Sequence, residues 1–363
     1  MSWGNPHTFA DKFCVNLLAP ATFVYESLLN IHHLAYQEKW LHSGKLSYPV
    51  ISIGNLTVGG TGKTPIIVDL ANQLLAQNMK VGILSRGYKR SNNQAITVVS
   101  DGQGNFASID AAGDEPLMMA QMLPQAIVIV GQDRFMCGQK AINDYDCKIL
   151  LLDDGFQHWR LQRDYDIVLL DYNDEPWNDN LLPAGRLREP LSALKRANHV
   201  VITKIPKVYN AEKIERLKKL VTQHAANCSI SLCQFQPSSL RQLIAGRWTD
   251  LSIDKLRDLP VIAFCGLAKA QGFFESVKQL GANVLQQISF SDHHSYSEKD
   301  TEMLKQKLTE LNAEYLITTR KDLVKLDETT VSSRILAINL NTKWIEGTPD
   351  VADLVKISSV LMQ

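Results

Sequence analysis

Hydrophobic positions along this chain alternate between short continuous apolar runs and runs at helical spacing. That is the pattern of strands buried on both faces with helices laid between them. The sharpest switch falls between Pro49 and Asp69, where Val50 to Ile53 read as a buried strand. Ile66, Ile67, Leu70, Leu74 and Leu75 then follow at helical spacing. Apolar runs at Val81–Ser85, Ala126–Val130, Lys148–Asp153, Asp164–Asp171 and Asn198–Lys204 predict further strands, with a Leu/Met-rich helix after Gly113-Asp114-Glu115-Pro116. The stretch leading to Gly113 reads as loop. These elements predict an α/β fold: an open parallel sheet, helices on both faces, ligands at its carboxyl edge.

A second, smaller α/β set follows. Ser229 to Pro237 alternates polar and apolar and reads as a linker strand. Strands at Leu259–Gly266, Val284–Phe290 and Tyr315–Thr319 alternate with a helix at Gln271–Leu280 and one opened by Ser297 and Asp300 as a capping box. The expected division is residues 1–228 as the first domain, 229–258 as linker, 259–345 as a smaller lid domain and 346–363 as a C-terminal segment.

The loop between the first strand and helix is Thr57-Val58-Gly59-Gly60-Thr61-Gly62-Lys63-Thr64. Strand, glycine loop, Lys-Thr, helix is the order of a phosphate-binding P-loop, although Thr57 stands where the strict pattern has glycine. Glycines let backbone N–H groups converge on phosphate oxygens, and the helix N-terminus adds positive potential. Lys63 would pair with the outer phosphates and Thr64 would sit on Mg²⁺. The loop is therefore expected to bind a nucleoside triphosphate.

Lys148 to Asp153 has the Walker B arrangement, an apolar strand that delivers a carboxylate, Asp153 or Asp154, to the Mg²⁺ side of the loop. Val201 to Pro206 resembles the guanine-reading Thr-Lys-x-Asp turn, but Pro206 replaces the carboxylate, which favours ATP. Arg86 and Gly87, after a strand, suit anion or sugar contact at the sheet edge, or form a solvated turn. Asp114 and Glu115 open a helix, where capping alone could account for one of them.

Composition narrows the partners. The chain has 363 residues, enough for two α/β domains, and Lys plus Arg equals Asp plus Glu at 38 each. No bulk charge favours nucleic acid. Six cysteines without CxxC or Cys/His spacing read as reduced thiols rather than zinc ligands. No apolar run of about 20 residues spans a membrane. Leu17 to Leu41 is nonetheless rich in large apolar groups at helical spacing. The segment alone favours core packing over a membrane-surface helix, because its polar face is not basic.

Val-Gly-Gly-Thr-Gly-Lys-Thr-Pro, Ser-Arg-Gly-Tyr, Gly-Asp-Glu-Pro, Leu-Asp-Asp-Gly-Phe-Gln-His, Leu-Arg-Glu-Pro and Phe-Ser-Asp-His-His occur in one order from Ile51 to Asp322. That series resembles tetraacyldisaccharide 4′-kinase, the lipid A 4′-kinase of Gram-negative bacteria. The resemblance implies two α/β/α domains facing across a cleft with a short two-stranded linker. It implies ATP-dependent phosphorylation of the 4′-hydroxyl of tetraacyldisaccharide 1-phosphate, giving lipid IVA at the inner face of the cytoplasmic membrane. The enzyme is then expected to be a peripheral monomer that uses ATP and Mg²⁺, and a lipid that cannot leave the bilayer shifts Leu17–Leu41 towards dual use, one face on the domain and one in the interface.

Under that resemblance Asp114 is the expected base for the sugar hydroxyl, oriented by His293, with the doubled His293-His294 blurring which imidazole acts. Glu115 and Glu189 join Thr64, Asp153 and Asp154 as candidates for the metal and its water shell. Arg86, Gly87, Arg134, Gln157 and His158 are candidates for the lipid's sugar or phosphate. The competing reading from another class is an ATPase switch of the deviant Walker A type, which carries a lysine where Val58 stands. A soluble small-molecule kinase is the third.

Overall fold

The computed structural model describes residues 9–88, 90–91, 94–244, 247–326, 334–350 and 354. The chain forms two units: residues 1–112, 119–235 and 342–363 in the first, and 113–118 with 236–341 in the second.

The first unit begins with helix α1 (Phe9–Gln37). Strands β1 (Val50–Asn55), β2 (Val81–Ser85), β3 (Ile96–Asp101), β4 (Ile127–Gly131), β5 (Ile149–Asp153), β6 (Tyr165–Asp171), β7 (His199–Thr203) and the first part of β8 (Ser229–Ile244) follow. Their order across the sheet is β3-β4-β2-β5-β1-β6-β7-β8. All neighbours run parallel except β3, antiparallel to β4. β1, β2, β4, β5 and β7 are buried throughout, as a sheet covered on both faces requires. Helices α2 (Lys63–Ala76), α3 (Ile109–Ala112), α4 (Asp114–Met122), α5 (Arg134–Tyr145) and α6 (Ala211–His224) connect the strands. On α2, Ile66, Ile67, Leu70, Ala71 and Leu74 form the buried face.

The register fixes where the chemistry sits. Ile53 lies opposite Asp153, and Asn55 opposite Leu169. Asn55, Ser85, Asp153, Asp171 and Thr203 each end their strand, so polar side chains cluster along the carboxyl edge that parallel sheets use for ligands.

In the second unit β10 (Pro260–Cys265), β11 (Asn283–Ser289), β12 (Tyr315–Thr319) and β13 (Ile335–Glu346) run parallel in the order β11-β10-β12-β13. The distal part of β8 pairs antiparallel with β9 (Arg247–Ser252). Helices α7 (Ala270–Gln279), α8 (Glu298–Glu310) and α9 (Arg320–Leu323) complete it. Its core is built on Phe264, Leu304, Leu308 and Leu316 on one side of the sheet and Val261, Phe274, Val277 and Leu336 on the other. Ser297 and Asp300 form the capping box at α8. Over the stretch 229–258, read as a linker with a strand at its start, β8 is one continuous strand that pairs with β9, and the chain passes between units within β8 and again within β13. Among the described cysteines, Cys137, Cys147, Cys228, Cys233 and Cys265 are free thiols.

Candidate active site

In the first unit the glycine loop runs from the end of β1 into α2. Gly59 and Gly62 have positive φ, 122° and 92°, and a Cβ on Gly59 or Gly60 would meet nothing within 4 Å. Gly62 caps α2 without any side-chain hydrogen bond, so the first N–H groups of the helix have no side-chain acceptor. An open glycine cradle over an uncapped helix N-terminus fits a phosphate chain. A Cβ on Gly62 would lie 2.3 Å from the Phe235 ring, so this turn tolerates only glycine on steric grounds as well.

The loop is braced from the strand ends. Asn55 donates from Nδ2 to the Thr57 carbonyl at 2.6 Å, and Thr203 Oγ1 donates to the Thr61 carbonyl at 2.7 Å. Val58 N–H donates to the Arg186 carbonyl at 2.8 Å, and Arg188 N–H to the Leu56 carbonyl at 2.7 Å. Lys204 donates to the Gly60 carbonyl and, at 2.6 Å, to Asp171 Oδ2. The lysine of the guanine-like turn thus holds the glycine loop instead of a base.

Lys63 Nζ donates to Asn55 Oδ1 at 3.2 Å and lies 3.4 Å from Asp154 Oδ1. Arg188 grips the Asp154 carboxylate with both terminal nitrogens at 2.9 Å each and also donates to Asn55 Oδ1. Burial opposes ionisation of Asp154, yet the hydrogen bonds from Arg188 and the charge of Lys63 outweigh it and hold its pKa at about 2. Asp153 accepts from Ser85 Oγ at 2.8 Å. Mg²⁺ keeps several waters and needs few protein oxygens. The Thr64 hydroxyl and the Asp153 and Asp154 carboxylates supply the right donor type for it, and among the described residues no cluster of three or more His, Cys, Asp or Glu forms a dedicated cage.

Because the Asp154 pKa lies below its ordinary value of 3.8, its pairing stabilises the fold fully above that pH. The contribution is lost as pH falls towards about 2. In Arg188→Met the carboxylate should titrate higher, read from its carbonyl carbon shift by NMR. An unchanged low titration would show that Arg188 is not the main cause.

Glu189 follows Arg188 directly in the chain. It is fully buried, accepts from Arg196 at 2.8 and 3.0 Å, and lies 3.4 Å from His33 Nε2. Its oxygens are engaged with α1 and Arg196 and not with Lys63 or Asp154. Tyr25 on α1 also donates to the Arg188 carbonyl at 2.9 Å, and the His33 and Trp159 rings lie 4.6 Å apart. The helix is thereby fastened to the segment that carries Arg188. Its opposite side exposes Leu17, Val24, Leu28 and Ile31, the last two at 61% and 60%.

Arg134 is buried beside exposed Arg86, and burial together with that neighbouring charge lowers its pKa. Gly87 turns the chain at φ 68°. Gln157 donates to the Asn55 carbonyl at 3.1 Å. Gln157 Oε1, His158 Nε2 and Arg134 Nε are buried without a hydrogen-bond partner. Burial first, then Arg134 and Arg163, push the His158 pKa down to about 4, so its imidazole is neutral at pH 7. Unsatisfied polar atoms at a strand edge suit a polar ligand.

In the second unit, His293 Nδ1 lies 3.2 Å from Asp114 Oδ2, joining residues 179 apart in the chain. His293 adopts φ 58°, a left-handed conformation uncommon outside glycine. His294 instead meets Asp300 at 3.1 Å and stacks on Phe290 with ring centroids 4.7 Å apart. His293 is the imidazole that faces Asp114. Glu115 lies 3.3 Å from Lys321, whose Nζ is also 3.0 Å from His293 Nε2. Asn55, Arg188, Lys204 and Lys321 were not among the residues singled out from sequence. Of these only Arg188 lay inside a quoted family motif.

Comparison with known proteins decides the class. Residues 14–357 match the family described as tetraacyldisaccharide-1-P 4′-kinase. The chain belongs to this family. The tetraacyldisaccharide 4′-kinase of Halothermothrix orenii is 34% identical, with 96% of this chain and 94% of that protein covered. That of Geobacter sulfurreducens is 37% identical over 85% of this chain and 84% of its own. The crystal structure of the Aquifex aeolicus enzyme LpxK in complex with ATP is similar at a TM-score of 0.75 and 33% identity, covering 96% of this chain and 99% of that one. The chain is therefore a kinase of lipid A biosynthesis, performing ATP-dependent 4′-phosphorylation on a P-loop α/β fold. The ATPase-switch alternative is not supported.

Proposed function

We propose that the acceptor is the 4′-hydroxyl of tetraacyldisaccharide 1-phosphate and that Asp114 takes its proton. The observation that carries this is the Asp114–His293 contact at 3.2 Å, a carboxylate backed by an imidazole in a strained turn. The acceptor oxygen bonds to the γ-phosphorus, ADP leaves, and the proton passes to Asp114. In a loose transition state that proton leaves late, so a carboxylate suffices as base. Lys63 balances charge on the outer phosphates, and the glycine loop donates N–H groups to them. Mg²⁺, when bound, neutralises phosphate charge, with Thr64 and Asp153 or Asp154 as its holders. Arg86, Gly87, Arg134, Gln157 and His158 contact the sugar and 1-phosphate, a role supported by the unpartnered buried atoms of Arg134, Gln157 and His158.

No helix among the described residues is long and apolar enough to cross a membrane. The acceptor's acyl chains cost about 0.8 kcal/mol per CH₂ to expose, so the enzyme works at the bilayer surface, at the cytoplasmic face of the inner membrane where ATP is present. Helix α1 supports this: its exposed face is apolar while Tyr25 and His33 hold its other face to the domain. Leu28→Glu with Ile31→Glu should therefore leave a folded protein with weaker vesicle binding, raised KM for lipid and unchanged KM for ATP. Unchanged vesicle binding would exclude α1 as the anchor, and an unfolded variant would place this face in a core.

A further inference from the structure

We propose that Lys321 is a positioning residue that fixes His293 as the neutral tautomer with its proton on Nδ1. The inference rests on the reading of Asp114 as base and adds a residue that the reading does not contain. Lys321 Nζ lies 3.0 Å from His293 Nε2. An ammonium group has three protons and no lone pair, so it can only donate across that contact. His293 Nε2 must then accept, which leaves Nδ1 to carry the ring proton. Nδ1 in turn lies 3.2 Å from Asp114 Oδ2, and its N–H donates to that oxygen.

The chain of donation therefore runs from Lys321 through the imidazole to the carboxylate. With the opposite tautomer both ends would fail, Nε2–H against an ammonium and a bare Nδ1 against a carboxylate. A ring protonated on both nitrogens would likewise turn an N–H towards the ammonium, which has no lone pair to accept it. Glu115 Oε1, 3.3 Å from Nζ, keeps the ammonium aimed and balances its charge. Glu115 thus acts through Lys321 and His293.

Local structure holds the lysine in place. Thr319 accepts from Asp322 N–H at 3.1 Å to cap α9, the short helix on which Lys321 sits. Lys325 donates to the His294 carbonyl at 3.2 Å and ties the histidine turn to the same segment. Asp114 has one oxygen committed to His293, and the other accepts from the Glu115 N–H at 3.1 Å. Fixing the ring this way orients the carboxylate for the acceptor proton.

The test is NMR of the full-length protein with isotope-labelled histidine, combined with steady-state kinetics. In wild type the His293 signals should show a protonated Nδ1 and an unprotonated Nε2. In Lys321→Met the ring should shift towards the Nε2–H tautomer. There kcat should fall about 10- to 100-fold, as for groups that fix the tautomer of a working imidazole, with both KM values little changed. Lys321→Arg, still a donor only, should restore the tautomer and most of the rate. A protonated Nε2 in wild type overturns the proposal, as does a methionine variant that keeps both tautomer and kcat. If the methionine variant does not fold, the wild-type spectrum and the arginine variant decide. Full activity in Asp114→Asn would instead overturn the base assignment, while the tautomer spectrum still judges Lys321.

Discussion

Replacing Lys63 with alanine is expected to abolish phosphoryl transfer. Phosphoryl transfer depends on positioning and charge neutralisation more than on covalent chemistry, so a missing point charge at the outer phosphates is not made good elsewhere. The structure shows why no neighbour can substitute. Arg188 is committed to both Asp154 oxygens at 2.9 Å, and Lys204 to Asp171 at 2.6 Å. The apolar face of α2 does not involve Lys63, so the variant should fold. Lys63→Arg should not rescue it, because a planar guanidinium does not reproduce a compact ammonium at this point. A variant that keeps near-wild-type kcat/KM would remove the glycine loop from the mechanism.

The second large effect is expected at Asp114. Asp114→Ala should lower kcat by about 10²–10⁴-fold with little change in the KM for ATP, as for a general base. His293→Ala should be slow for the same reason, since its Nδ1 meets Asp114 Oδ2 at 3.2 Å. Residues that act as one unit give non-additive losses. The double variant should be about as slow as the worse single one. Full multiplication would give His293 a separate task, and a loss confined to the KM for ATP would make Asp114 a metal-shell residue.

Parallel strands with uninterrupted apolar runs were readable from the sequence because burial on both faces leaves no polar positions to confuse the period. β3 reads as loop in the sequence. It is an antiparallel edge strand with alternating half-buried positions, in a stretch rich in glycine and asparagine. β13 carries no clear strand period either, since only its first four residues, Ile335 to Ile338, are buried. The glycine loop and the acidic pair were legible because their chemistry is local. Arg188 was not, because it works through Asn55 and Asp154, 133 and 34 residues away. That Arg196, seven residues on, holds both oxygens of Glu189 is equally silent in the chain. Lys321 was silent for the same reason: its meaning lies in which ring nitrogen it faces.

The most direct test is transfer of the labelled γ-phosphate of ATP to disaccharide 1-phosphate in detergent micelles, with the labelled position mapped on the product and a no-lipid control. The label should appear on the 4′-oxygen, require the lipid, and vanish in Lys63→Ala. Release of labelled phosphate at the same rate without lipid, or label at another position of the sugar, would contradict the account.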